Sequence, residues 1–458
     1  MEYKSIDELM AIAKSASSHR ISEYNINNRS LDKNNKGVIG QIIEEGLFKY
    51  NINSNKEADF KNLGVELKVT GLKKASKGYT NKERLVLNII NYIEESNSSF
   101  ENSSFWHKNK NLLIMFYLYD ENSNNYNFLI IDSILHRFSP EDLEIIKSDW
   151  NYIHQKIKDG HAELISESDT MYLGACTKGA NVESSYRKQP NSNVLARQRA
   201  YCLKNSYMNY IVKKYFLDES CKSILSVDEI RGKTFEIALE SKLSLFFGQS
   251  ETELFKKFSI SPDIKAKHKY NILLSKMLNI DGSINQTEEF IKANIQLKTI
   301  RVEENGTIRE HMSFPTFKYC DIVNEEWEDS ELYKLFNETK FFFIVFKKSN
   351  GSYYFDKIKL WNMPVEILDN QVKNTWEKTK KLITDGNIIE YEKNGKYKTY
   401  FPGSTFNHIC HVRPHDQTGI KKSGTGYPLP VPDKLTNLTK YTKHCFWLDR
   451  DFIKSIIR

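Results

Sequence analysis

Apolar residues along this chain recur with two periods, and each period marks a kind of element. Ile6, Leu9, Met10 and Ala13 repeat at helical spacing over 6–17, with Ser5 placed to cap the first turn. Gly37–Leu47 is helical again: Val38, Ile42 and Ile43 fall on one face, and Gln41, Glu44 and Glu45 spread round the other. Over Val65–Val69 the pattern alternates, so Val65, Leu67 and Val69 point to one side of a strand and Glu66 and Lys68 to the opposite side. The runs 112–119 and 128–132 predict two buried strands, giving a mixed sheet flanked by helices. Ser139 and Pro140 open a further helix as cap and first residue, and Gly160 ends it. Residues 171–180 read as a strand running into a Lys-tipped loop, and 199–215 as a basic helix that closes the domain. The Asn-rich stretch 25–35 is a loop that delivers Lys36 to the second helix.

Composition bounds what surrounds these elements. A chain of 458 residues with 40% hydrophobic content has material for two or three cores. Its longest apolar runs, 112–119 and 341–346, are too short to span a bilayer, and 1–14 lacks the apolar stretch of a signal peptide, so the expected location is cytoplasmic. Six scattered cysteines without a C-x-x-C suggest neither a disulfide framework nor a zinc ribbon. The net charge of +7 suits a polyanionic partner, though many basic proteins bind none.

The acids change the picture. Glu66 and Lys68 are neighbours on one strand face, Asp59 lies seven residues upstream, and Glu44 sits on the preceding helix. Mg²⁺ prefers a few carboxylates and keeps several waters, so Asp59 and Glu66 suit it while leaving room for water and a phosphate oxygen. Lys68 then positions the attacking water and offsets transition-state charge, and Glu44 orients Lys68 or a water. Lys73, Lys74, Lys77, Lys82 and Arg84 follow as a basic run suited to backbone phosphates.

The stretches KGVIGQIIEE (36–45) and EADFKNLGVELKVT (57–70) resemble the active-site region of MutH, the mismatch-repair nicking endonuclease, and of GATC-cutting type II restriction enzymes of the Sau-three-A type. The resemblance implies an α/β (α+β) fold of the PD-(D/E)xK nuclease superfamily. It makes Glu44, Asp59, Glu66 and Lys68 catalytic, with Mg²⁺ on Asp59 and Glu66 and double-stranded DNA as partner. It also makes the loop after 171–177 the reader of the major groove. Thr177, Lys178 and Gly179 become candidates for base contact, and Tyr186, Arg187, Lys188 and Gln189 add donors. Tyr207, in a stretch similar to the end of MutH, joins the DNA-binding set. The expected state is a monomer that can dimerise on DNA.

The chain also repeats itself. Residues 231–240 overlay 36–45, and 289–299 overlay 59–69; Trp376 precedes Gly386 as Trp150 precedes Gly160. Two copies of one MutH-like fold are therefore expected, a catalytic domain at 1–215 and a DNA-binding domain at 227–458, joined by 216–226. In the second copy Leu239 stands for Glu44 and Gln296 for Glu66, so the retained Glu289 and Lys298 make a poor magnesium site. It should bind and not cut. Arg413 suits a guanine edge, and His415 stands where Lys178 does. A zinc site from His408, Cys410, His411 and His415 is awkward, because strand alternation sets His411 apart from His408 and Cys410; partly buried or DNA-facing histidines are expected instead.

The combined expectation is a Mg²⁺-dependent type II restriction endonuclease that cuts both strands at GATC sites, leaves 5′-phosphates and uses its C-terminal domain as an effector site. Recognition sequence and cut position rest on the resemblance alone. Two alternatives stay open: a nicking enzyme of mismatch repair, and a non-catalytic DNA-binding regulator in which the acids are structural.

Overall fold

The computed structural model describes residues 3–32, 37–50, 52, 57–179, 183–219, 221–261, 263–264, 266–393, 396–415 and 426–458; Lys36 lies outside them. The chain forms two compact units, one of 1–239 with 285–295, the other of 240–284 with 296–458. Among the described residues no helix is long and apolar enough to cross a membrane.

In the first unit, helix α1 (Ile6–Ser15) starts where the Ser5 hydroxyl accepts the Glu8 amide, and it buries Leu9 and Ala13. Helix α2 (Val38–Ile42) runs straight into a wider π turn, Ile43–Leu47, in which the Phe48 amide donates to Ile43 O at 3.2 Å. The single helix expected over 37–47 is thus two pieces. Gly46 shows how tightly the turn is packed: a Cβ there would lie 1.7 Å from Tyr24 O, so backbone meets backbone.

Strands β1 (Glu66–Lys74), β2 (Tyr79–Asn81), β3 (Leu85–Ile89), β4 (Leu112–Leu118) and β5 (Leu129–His136) follow. The main sheet has the order β2-β1-β4-β5, with β1 and β4 parallel and the other pairs antiparallel. Val65 and Leu67 are buried in a core with Leu9, Ile42, Phe60 and Leu113. That burial fixes which face of β1 is inside, and so turns Glu66 and Lys68 to the other face.

Helix α3 (Pro140–Lys158) is capped by Ser139 and ends before Gly160, whose φ is +76°. Its Asp149 carboxylate accepts the amides of Met171, Tyr172 and Leu173 at 2.7, 2.6 and 2.9 Å, which pins the start of β6 (Leu173–Thr177). Residues 199–203 correct the expectation of one long helix. They form strand β7 (Arg199–Leu203), buried along its whole length between β3 and β6, and helix α4 (Asn205–Leu217) begins only afterwards. A short strand covered on both faces is an unbroken apolar run, which periodicity cannot tell from a helix. Helix α5 (Glu288–Lys292) also packs in this unit: Lys292 Nζ donates to Asp142 Oδ1 at 2.7 Å.

The second unit contains β8 (Ile295–Val302), β9 (Met312–Phe317), β10 (Lys340–Ser349), β11 (Ser352–Trp361), helix α6 (Lys373–Thr384), β12 (Cys410–Pro414), β13 (His444–Leu448) and helix α7 (Arg450–Ile456). Its sheets have the orders β8-β10-β11 and β9-β13-β12, around a core that includes Phe341, Phe343, Trp376 and Phe446. These orders match β1-β4-β5 and β3-β7-β6 of the first unit.

Candidate active site and DNA-reading loop

The acid pair is assembled by a tight reversal of the chain. Phe60 and Val65 bridge each other, the Phe60 amide donating to Val65 O at 2.9 Å, and Gly64 turns the backbone at φ +61°. Asp59 and Glu66 flank that bridge and so become neighbours. The Asp59 amide donates to Glu66 Oε2 at 3.2 Å, and the Leu67 amide donates to Asp59 Oδ2 at 3.0 Å. Lys68 Nζ donates to Glu66 Oε1 at 2.7 Å and to Leu87 O at 3.3 Å. Glu66 is almost wholly buried, at 2% exposed, and Lys68 is mostly so.

Glu44 enters from the π turn. Burial, followed by the Asp59 and Glu66 carboxylates, raises its pKa to about 7 against the opposing pull of Lys68. Burial and Glu66 likewise raise Asp59 to about 6, while the Leu67 amide, Lys68 and Lys108 pull the other way. Three acids therefore share one electrostatic environment. The adjacent Glu45 is turned elsewhere: Arg29 binds both its oxygens at 2.7 Å and holds its pKa down at about 2.

One residue near the acids was missed from sequence. Lys108, on the short helix Ser104–Asn109, places Nζ 3.5 Å from Glu66 Oε1. It lies far along the chain from the acids and carries no motif of its own.

The loop after β6 is anchored on one side. Thr177 ends β6, the Lys178 amide donates to Gln198 O at 2.7 Å, and Gly179 is exposed at φ +120°. Tyr186, Arg187 and Lys188 are exposed; the Arg187 guanidinium is tied to Ser184 O, Tyr186 O and Gln198 Oε1. Gln189 and Tyr207 correct the sequence reading. The Gln189 side chain is buried, accepting the Ala162 amide and donating to Glu163 and Val194 O, so nothing is left for a base edge. Tyr207 is fully buried and donates to Asp142 Oδ2 at 2.8 Å. Both are core residues. In the basic run, Lys73 pairs with Glu121 and Arg84 with Glu167, and Lys82 lies over the Tyr119 ring.

In the second unit Gln296 and Lys298 lie on β8. Glu289 belongs to the first unit, on α5, and its carboxylate accepts the amides of Ile224 and Leu225. It is a structural anchor there. Leu239 is buried on the helix Phe235–Leu243. Arg413 is partly buried and donates to His311 Nε2 at 3.2 Å, while His415 and His408 are exposed and His411 is buried.

A strand-borne Glu and Lys beside an Asp on a tight turn suit a phosphodiesterase-type centre. A family model described as "DNA mismatch repair enzyme MutH" matches residues 48–149, the stretch that carries the acid pair, Lys68 and Lys108. The chain is 37% identical over 456 residues to the Type II restriction enzyme Sau3AI of Staphylococcus aureus, covering 92% of each. It is 27% identical over 219 residues to the DNA mismatch repair protein MutH of Shewanella woodyi, covering 46% of this chain and 93% of that one. The chain belongs to the MutH-like family of Sau3AI-type restriction endonucleases, and is a site-specific deoxyribonuclease.

Proposed function

We propose that the first unit hydrolyses both strands of DNA at GATC sites, leaving 5′-phosphates, with Glu44, Asp59, Glu66 and Lys68 as its catalytic residues. The observation that carries this reading is the reciprocal bonding of Asp59 and Glu66, with Lys68 2.7 Å from the Glu66 carboxylate. The residues fit Mg²⁺: the raised pKa values of Glu44 and Asp59 express carboxylate crowding that a divalent cation relieves. Asp59 and Glu66 would hold the ion, which when bound polarises a phosphate oxygen and acidifies water. Lys68 Nζ, fixed by Glu66 and Leu87 O, stabilises negative charge developing on the phosphate. Glu44, with its pKa near neutrality, is suited to accept a proton from the attacking water. Thr177, Lys178 and Gly179 read bases; Arg187 and Lys188 hold phosphates.

Residues 227–458, in this reading, are a duplicated copy that binds a further DNA site through Arg413 and His415 and acts as effector; its segments up to 239 and at 285–295 belong to the first compact unit. The matching strand orders support the duplication. Gln296 in place of the second acid, and the commitment of Glu289 to backbone amides, support binding without cleavage. The junction is placed at 216–226, the enzyme is taken as cytoplasmic, and a monomer that can dimerise on DNA is the assembly we favour.

Digestion of a plasmid with known GATC positions, followed by end sequencing, tests site and chemistry together. Linear product with 5′-phosphate ends at GATC is expected. Nicked circles alone would favour a mismatch-repair nickase, and no Mg²⁺-dependent cleavage would favour a regulator.

A further inference from the structure

Away from the nuclease residues, three side chains of the second unit meet without an assigned role. His311 immediately precedes β9, His411 lies on β12, and Asp449 caps α7 just after β13. The sheet brings them together: β13 runs between β9 and β12, pairing Leu448 with both Met312 and Cys410, and Trp447 with His411. One donor atom from each residue lies within 4.8 Å of the other two. The imidazoles of His311 and His411 meet edge to face with centroids 4.7 Å apart, and His311 Nδ1 is 3.4 Å from Asp449 Oδ2.

A second observation points to a ligand. His411 is 1% exposed, and among the described residues neither of its ring nitrogens has a hydrogen-bond partner. Burying an imidazole with both nitrogens unpaired is costly, and such orphans call for an ion or water. Asp449 is also buried; its Oδ1 accepts the Asp451 amide at 2.8 Å, and its Oδ2 faces His311. Burial, with Arg413 beside them, lowers the pKa of both histidines, that of His411 to about 3, so the rings stay in the neutral form that coordinates metals.

We propose that His311, His411 and Asp449 form a binding site for a zinc-class divalent transition-metal ion in the second unit. Two imidazoles and a carboxylate suit zinc or its neighbours, whereas Mg²⁺ and Ca²⁺ prefer all-oxygen sets. Metal–ligand bonds of about 2.0–2.1 Å in a tetrahedron put ligand atoms about 3.3 Å apart. His311 Nδ1 and Asp449 Oδ2 already stand near that spacing, and the His411 nitrogen lies within 4.8 Å of both. Two groups compete for this ring: the Arg450 amide lies 3.2 Å from His311 Nδ1 and the Arg413 guanidinium 3.2 Å from its Nε2, and a neutral imidazole accepts from one of them at a time. An ion on Nδ1 leaves the ring proton on Nε2, so the Arg413 guanidinium turns outward on binding. Cys410, adjacent in sequence, packs on the opposite face of β12 in the apolar core and takes no part.

The test uses the full chain, stripped with a chelator and titrated with Co²⁺ as a spectroscopic substitute for zinc. One equivalent should produce the intense visible bands of a four-coordinate histidine site, and Zn²⁺ should displace them. His411→Phe and His311→Asn should each weaken binding at least 100-fold, whereas Glu66→Gln, which alters the all-oxygen nuclease site, should leave the bands intact. Melting curves without metal establish that each variant is folded; should His411→Phe fail to fold, the partly buried His311 decides. Absence of the bands in the wild type overturns the proposal, as does their survival in His311→Asn or their loss in Glu66→Gln.

Discussion

Asp59 and Glu66 hold each other's carboxylates through the main chain: the amide of Asp59 donates to Glu66, and the amide following Glu66 donates to Asp59. One oxygen of each acid is thereby oriented by backbone that cannot rotate away. The pair is preorganised by a turn, which costs less at the moment of reaction than ordering two free side chains.

Glu66→Gln and Lys68→Ala should each lower single-turnover cleavage by at least about 100-fold while leaving duplex affinity within a few-fold, because these groups act on the transition state more than on bound substrate. Gel-shift binding beside plasmid cleavage checks both halves. Wild-type rates in either variant would remove the catalytic assignment.

The raised acids predict a pH signature. Glu44 near 7 and Asp59 near 6 bind protons more tightly in the folded chain than in the unfolded one. Without metal, their contribution to stability is most favourable below about pH 4 and falls as pH rises toward 7. Divalent metal competes with those protons, so the rise in Tm on adding Mg²⁺ should be larger at pH 8 than at pH 5.5. A metal effect that is flat with pH would contradict the arrangement.

Lys108→Met removes a cation that pulls the Asp59 pKa down. The Asp59 pKa should therefore rise, and the ascending limb of the cleavage profile should move to higher pH. A rate loss of about 10-fold or more near pH 6, largely recovered by pH 8.5, is the expected pattern. A uniform loss across pH would give Lys108 some other role.

Lys178→Ala should cost about 1 to 3 kcal/mol of discrimination between cognate and scrambled duplexes. Lys73→Ala should weaken binding to all duplexes alike and reduce the salt slope by about 1. Gln189→Ala should instead lower Tm, since it breaks a buried network. Competition binding and melting curves separate the three outcomes.

If the second unit is an effector site, a plasmid with two GATC sites should be cut faster per site than a plasmid with one, and an uncleavable duplex added in trans should rescue the latter. Arg413→Ala should shrink that gain. Equal rates per site over a range of enzyme concentrations would leave the second unit without a regulatory part.

What the sequence made legible follows from local physics. The face of β1 that carries Glu66 and Lys68 could be read because alternation along five residues is enough to specify a strand with one side buried. Strand β7 could not, since Ala200, Tyr201, Cys202 and Leu203 are all buried and show no period. Gln189 and Tyr207 looked like DNA donors by position, but whether a polar side chain points into the core is decided by elements distant in sequence, here Ala162 and Asp142. Lys108 and the His311–His411–Asp449 group are products of sheet pairing, and no spacing rule reaches them.

The contact of Gly46 with Tyr24 has a consequence for how this sequence can vary. Because the π turn is seated directly on the carbonyl of Tyr24, the position of Glu44 is set where those two backbones touch. The chain between them adds a second tie, because Arg29 binds both oxygens of the neighbouring Glu45. A change of length between Tyr24 and Arg29 should accordingly disturb the glutamate, since it pulls Arg29 away from Glu45. Gly46 itself has no latitude: even alanine there would force the two backbones apart. The π turn is thus held from two sides by the chain just before it, at one of them by a contact that tolerates no added atom.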